Sequence, residues 1–384
     1  MKKFMFITFA AVVLIGCKET KDTVYTVTFN SDGGTTVPAQ TVIAGEMATA
    51  PENPEKQEYV FLYWSLSGAT TAYNFQTPIN SDITLLANWQ KENFQSKIIE
   101  GLTLDNYPRV DGSTSAGPLN IVIACKLLGI EYQWVKGHGD LWGVEPVLKS
   151  KSNSEKFAEL IKTSGTHPSC INLINRETDL ILLARKPSSD EKIYAESKGV
   201  SLIEIPIALD AFVFIAHPNN PITSLRIEQI QDVYTGKITN WNEVGGNNAT
   251  INPYVREPNS GSQELMDLLV MKDLDMLQFP VSWEVVFTMT GAFEKVQGDT
   301  NGLCYTVYYY KENIFKEARV KSIAIEGIYP NKESISNNTY PLNAEVYAII
   351  RSDLDQSSMA YKIYEFLQTE TGKEVISESG YIPN

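Results

Sequence analysis

The sequence predicts an α/β protein with a small, mostly β unit ahead of it. Three observations lead there. Residues 24–90 read as aromatic and β-branched runs of period two, cut by Gly, Pro and Asn turns. From Ile98 onward, short apolar strands alternate with segments of helical period. Several of those strands run into Ser/Gly/Thr turns that open helices. The 384 residues, 43% of them apolar and 20% charged, suffice for two or three domains with a sizeable core.

Charge narrows the function. A net charge of −14 argues against nucleic acid or an anionic membrane surface as the main partner. It does not argue against a small anion, which a few local N–H groups and one or two arginines can hold. The chain starts Met1-Lys2-Lys3, continues with an apolar run from Phe4 to Ile15, and reaches Gly16-Cys17. This is the pattern of a secretory signal, and the run is too short to span a membrane. Leu14-Ile15-Gly16-Cys17 resembles the lipobox of bacterial lipoproteins. The resemblance implies a signal peptide over 1–16, lipidation of Cys17 and a polar tether over 17–23. The membrane is then a partner only through the lipid. Three cysteines remain (Cys125, Cys170 and Cys304), an odd number that forbids full internal pairing. They match no zinc spacing, and the three histidines, His138, His167 and His217, are scattered, so no metal site or cofactor is expected.

In the N-terminal unit, strands are expected at Val24–Phe29, Gln40–Ile43, Tyr59–Trp64 and Ile83–Trp89, with a turn at Asn30-Ser31-Asp32-Gly33-Gly34. Val27 to Gly34, Tyr59-Val60-Phe61 with Trp64, Thr77-Pro78-Ile79, and Asp82 through Trp89 together resemble the internalin-type B-repeat, or Listeria–Bacteroides repeat. That resemblance implies a β-grasp-like domain over 24–90, serving either as a contact module of a bacterial surface protein or as a spacer.

Beyond the joint at 91–100, the first notable loop is Asp111-Gly112-Ser113-Thr114-Ser115, ahead of an apolar helix over Leu119–Leu128 that Gly129 stops. Three consecutive hydroxyls exceed what a cap needs. Tyr132–Val135 reads as a short strand, 137–154 has no assignable pattern, and Phe157–Ile161 suits a strand or a short helix. Ser164-Gly165-Thr166 opens another helix, with His167 beside it. Asp179–Ala184 is a continuous apolar strand of the buried type, ending at Arg185 where open α/β sheets bind ligands. A surface Arg185 paired to Asp190 or Glu191 is the competing reading. Val200–Ile207 and Ala211–Ala216 read as two strands, and Leu225–Tyr234 as a helix.

The stretch that organises the rest is Arg256-Glu257-Pro258-Asn259-Ser260-Gly261-Ser262. The strand-like run Ile251–Val255 ends at an arginine, and a helix starts near Gln263. A helix N-terminus offers unpaired N–H groups and partial positive charge. Ser260 and Ser262 can cap it, Gly261 lets a ligand approach the backbone, and an arginine stands one short loop away, which together make an oxyanion cradle. Alone, the same stretch reads better as an ordinary capped helix beside a surface arginine.

Residues 105–384 resemble the phosphate-binding proteins of bacterial ABC transporters, within the type II periplasmic binding-protein fold. The matching points are Asp111 to Ser115, Ser164-Gly165-Thr166, Asp179 to Arg185, and Gly236-Lys237-Ile238-Thr239-Asn240-Trp241 with Glu243 to Gly246. They continue through Arg256 with Ser260-Gly261-Ser262, and Tyr340-Pro341-Leu342 before a strand at Glu345–Ile350. The resemblance implies two α/β lobes, 98–208 plus 345–384 and 212–341, with crossings near 208–211 and 342–344. It implies anion contacts from Ser113, Thr114, Ser115, Ser164, Gly165, Thr166, Arg185, Arg256, Ser260, Gly261 and Ser262. The partners it implies are phosphate or a similar oxyanion and an ABC permease. One departure bears on selectivity. Phosphate keeps a proton at neutral pH and needs an acceptor, but Pro258 stands where members of the resembled family commonly carry Asp, and Arg185 where some of them do. Glu257 and Asp111 are the substitutes on offer.

The leading expectation is a lipid-anchored solute-binding protein of the cell envelope that passes phosphate to an ABC importer. A surface adhesion lipoprotein and a binder of another oxyanion such as sulfate are the alternatives. An enzyme is not expected, because the sequence shows no Ser–His pair or carboxylate cluster suited to catalysis.

Overall fold

The computed structural model describes residues 22–137, 139, 141–272, 274–277 and 285–384. The signal segment, Cys17, most of the tether and His138 lie outside the described residues. The chain divides into two compact units that part between Glu92 and Asn93.

The N-terminal unit is a four-stranded sheet. In spatial order its strands are Gln40–Ile43, Val24–Asn30, Ile83–Lys91 and Tyr59–Leu66. The first and last strands of the unit pair in parallel, Val27 opposite Ile83 and Phe29 opposite Leu85, while the flanking pairs are antiparallel. Period-two alternation puts Val27, Phe29, Trp64, Leu85 and Ala87 on one buried face. Phe29 meets Trp64 edge-on, with ring centroids 5.0 Å apart. The tight turn needs its glycines. Gly33 has φ +85°, and a Cβ on Gly34 would come within 2.6 Å of the Trp89 ring.

The larger unit is built on one long strand, Leu202–Ala216, where the sequence suggests two. Its first half pairs with Asn343–Arg351, which is followed by Leu180–Leu183 and then Val110–Gly112. Its second half pairs with Gly302–Val307 and Lys321–Ile325. The two halves of this strand therefore carry different sets of partner strands. The polar interruption at Asp210 does not break it, because Asp210 Oδ1 accepts hydrogen bonds from the Ala211 and Tyr309 N–H groups at 2.8 and 2.9 Å. Pro206, which has no N–H, sits beside the register shift between Val346 and Tyr347.

Helices cover the sheet. Gly117–Leu128 starts with Pro118 in its first turn and stops at Gly129, φ +68°. The ambiguous stretch before Ile161 is a helix, Lys151–Leu160. The unassigned 137–154 holds a strand, Trp142–Pro146, that forms a hairpin with Tyr132–Lys136. The helix expected over Leu225–Tyr234 runs Ile227–Tyr234, preceded by a short strand at Ser224–Leu225. Phe212, Phe214, Tyr234 and Tyr305 form an aromatic cluster around the second half of the long strand. Near the C-terminus, Tyr381 stacks on Tyr309 with centroids 3.6 Å apart, and Ile382–Pro383 pairs with Ala208–Leu209. Cys125, Cys170 and Cys304 are free and buried, and burial pushes the Cys125 and Cys304 thiols up to about 12.

Candidate oxyanion site

Three hydroxyl-rich turns converge on one cavity of about 440 Å³. The first follows Val110–Gly112, where Ser113 to Ser115 lead into the helix from Gly117. Gly112 is obligatory, since a Cβ would lie 2.5 Å from the Leu182 carbonyl oxygen. Ser113 and Ser115 are buried, and the Ser115 carbonyl accepts a hydrogen bond from the Tyr381 hydroxyl at 3.1 Å. The second turn is Ser164-Gly165-Thr166, where Gly165 takes φ +101° and the helix Thr166–Ile174 begins. The third follows the short strand Val255–Arg256. The helix Gly261–Leu265 opens there, capped by Ser260, whose Oγ accepts from the Gln263 N–H at 3.1 Å.

Asp111 ties the first two turns together. It is buried, its Oδ1 accepts from the Gly112 and Ser164 N–H groups at 2.8 Å each, and its Oδ2 accepts from Asn172 Nδ2 at 2.9 Å. Both oxygens hold the turns in place, and Asp111 is not among the residues that line the cavity, whereas Glu257 is. The second and third turns touch across the cleft. A Cβ on Gly261 would come within 2.6 Å of Thr166 Oγ1.

Arg256 supplies the positive charge of the cavity wall. Only 4% exposed, it makes no ion pair among the described residues. Its Nε donates to the Val286 carbonyl at 3.0 Å, and its Nη1 lies 3.1 Å from Met289 Sδ. Burial lowers its pKa from the ordinary arginine value, yet a guanidinium keeps its proton at neutral pH. A buried arginine without an ion pair, beside three helix N-termini, is a site suited to an added anion.

Of the residues expected to contact the anion, Ser113, Thr114, Ser115, Ser164, Gly165, Thr166, Arg256, Ser260, Gly261 and Ser262 all line this cavity, whereas Arg185 does not. Its guanidinium is buried against Glu191, Nη1 to Oε2 at 2.8 Å and Nη2 to Oε1 at 2.9 Å. A bidentate carboxylate leaves that charge neutralised, so the assignment of Arg185 to the anion is corrected. Burial alone would raise the Glu191 pKa. The Arg185 hydrogen bonds and charge, with the Ser188 N–H and His167, outweigh it and hold Glu191 below the usual carboxylate range. His167 Nδ1 stands 3.0 Å from Glu191, so this cluster braces the start of the Thr166–Ile174 helix from behind.

Sequence reasoning missed one wall. Thr288 caps a fourth helix, Met289–Gly298, accepting from the Gly291 N–H at 3.0 Å, and Thr288, Met289 and Thr290 all line the cavity. The signal was available, because Thr288-Met289-Thr290-Gly291 is another hydroxyl-and-glycine turn. Glu257 also lines the cavity, and among the described residues it is the carboxylate that does so.

A model of the PBP superfamily domain matches residues 150–369. The chain belongs to the PBP superfamily. Residues 25–88 match the Listeria–Bacteroides repeat domain, so this PBP-superfamily chain carries a second module. A phosphate-binding protein PstS of Borreliella burgdorferi is 28% identical over 183 residues, covering 47% of this chain and 65% of that protein. The match thus spans just under two thirds of that relative. The PstS of Staphylococcus saprophyticus is 24% identical over 266 residues, covering 64% of this chain and 81% of the other. Among solved structures, a Clostridium perfringens substrate-binding protein with bound phosphate has a TM-score of 0.53 at 24% identity, covering 72% of this chain and 98% of its own. That likeness shows the type II binding-protein fold.

Proposed function

We propose that this protein is a solute-binding protein that captures inorganic phosphate between its lobes and delivers it to an ABC importer. The observation that carries the reading is the convergence of three hydroxyl-bearing helix N-termini on buried Arg256, which makes no ion pair among the described residues. A desolvated tetrahedral dianion needs that many N–H and O–H donors. The relatives named phosphate-binding proteins support phosphate as the ligand. They are solute-binding proteins, which fits a non-enzymatic role. We place the lobes at 98–208 with 345–384 and at 212–341, and the contacts at the ten cavity residues named above. We assign the proton acceptor to Glu257.

Among the described residues no helix is long and apolar enough to cross a membrane. The lipobox-like Leu14-Ile15-Gly16-Cys17 supports a lipid anchor in the cell envelope. The repeat domain at 25–88 supports a second reading, in which this chain also makes surface contacts.

Titration calorimetry of the purified protein tests the first reading. Phosphate is expected to bind at least about tenfold tighter than sulfate, roughly 1.4 kcal/mol. Arg256→Ala should abolish binding with the circular dichroism spectrum unchanged, and Glu257→Gln should narrow the preference over sulfate. Equal affinities in the unmodified protein would refute phosphate selectivity, and binding that survives in Arg256→Ala would refute the site.

A further inference from the structure

Met289 opens the helix Met289–Gly298 on the cavity wall. Its Sδ lies 3.1 Å from Arg256 Nη1 and 3.5 Å from Ser262 Oγ. Both donor residues are 4% exposed, and both are assigned above to the oxyanion. A thioether is a weak acceptor, so these contacts yield readily to a charged oxygen. The Met289 side chain itself is half-buried and reaches the cavity, where small solutes can meet it.

We propose that Met289 is a redox modification site: a peroxide converts its thioether to the sulfoxide, whose oxygen then holds Arg256 and Ser262 against phosphate. The inference rests on the oxyanion reading of the same cavity. The step balances. A sulfur lone pair attacks one oxygen of hydrogen peroxide, the S–O bond forms as the O–O bond breaks, and the other oxygen leaves as water after taking the proton of the first. Sulfur loses two electrons and the peroxide gains them. A sulfoxide oxygen is a strong acceptor, and its bond to a guanidinium is charge-assisted. A flexible apolar side chain thereby becomes a polar competitor for the donors an anion requires, and methionine sulfoxide reductases can reverse the change. Met266 and Met271 are fully buried, while Met47, 52% exposed on the N-terminal unit, provides an internal reference for oxidation.

The test uses the full chain treated with hydrogen peroxide. Sulfoxide is quantified at each methionine by peptide mass spectrometry, and phosphate affinity is measured by calorimetry before treatment, after it, and after reductase. Affinity should fall at least about tenfold, in proportion to sulfoxide at Met289, and should return with reductase. Phosphate present during treatment should slow oxidation of Met289 but not of Met47. Met289→Leu, compared only with itself, should keep its affinity through treatment. Met289→Gln, which puts a carbonyl oxygen near the sulfoxide position, should bind phosphate more weakly than Met289→Leu while remaining folded. Unchanged affinity with Met289 fully oxidised, an equal loss in Met289→Leu, or a Met289 that resists oxidation while Met47 converts would each overturn the inference and leave the oxyanion reading standing. An untreated protein that does not bind phosphate would overturn that reading and this inference with it.

Discussion

Arg185 and Arg256 look alike in the sequence, since each closes an apolar strand and precedes a turn. Their partners separate them. Glu191, held by the capping box of the Ser189–Ser197 helix, reaches back and neutralises Arg185, whereas nothing comparable among the described residues faces Arg256. No spacing rule reveals this, because a carboxylate six residues on can point to either side. Asp210 is a second residue whose role depends on its burial. Desolvation pushes its carboxyl up to about 7, against the opposing hydrogen bonds from the Tyr309 and Ala211 N–H groups, and its Oδ2 has no partner. The folded value lies above the ordinary 3.8, so the folded state keeps a proton that the unfolded chain releases. The associated stability is full below about pH 4 and is lost as pH rises to about 7. Thermal melting should therefore show the unmodified protein losing stability across that window, and Asp210→Asn losing much less. Parallel curves would rule out the assignment.

At the scale of elements, the Ser/Gly/Thr turns were legible because turn chemistry is local. Pro118, Gly129 and Ser260 each do what their residue types dictate. The joined strand Leu202–Ala216 and the hairpin strand Trp142–Pro146 were not legible. The first is held together across Asp210 by bonds to a residue 99 positions away, and the second exists only by pairing. The contact of Gly261 with Thr166 is the sharpest point between elements. A Cβ at Gly261 would force the second and third turns apart, since the gap is 2.6 Å to a side chain rooted in the opposite turn. Gly261→Ala should weaken phosphate binding at least about tenfold while shifting the melting temperature of the unliganded protein little. Calorimetry and thermal melting together check this, and undiminished affinity would show that the turns do not need that approach.

For the whole molecule, the N-terminal sheet and the binding-protein unit bury separate cores, Val27, Trp64 and Leu85 in one and Leu119, Phe212 and Tyr305 in the other. Independent cores predict independent function. Deleting residues 24–90 should leave phosphate affinity within about twofold of the full chain, well under the 1.4 kcal/mol of a tenfold change. A larger loss, read by calorimetry, would mean that the two units are coupled. The sequence by itself determined the β unit, the α/β unit, the order of the three hydroxyl-bearing turns and the candidate donors in them. Each of these rests on local propensity, on periodicity, or on a family resemblance carried by contiguous residues. Only the tertiary structure decided which charges stay free. It committed Asp111 to positioning, paired Arg185 with Glu191, left Arg256 without an ion pair among the described residues, and set Met289 against the same donors. Neutralisation depends on distances of a few ångströms between residues far apart in the chain, and those distances are a property of packing.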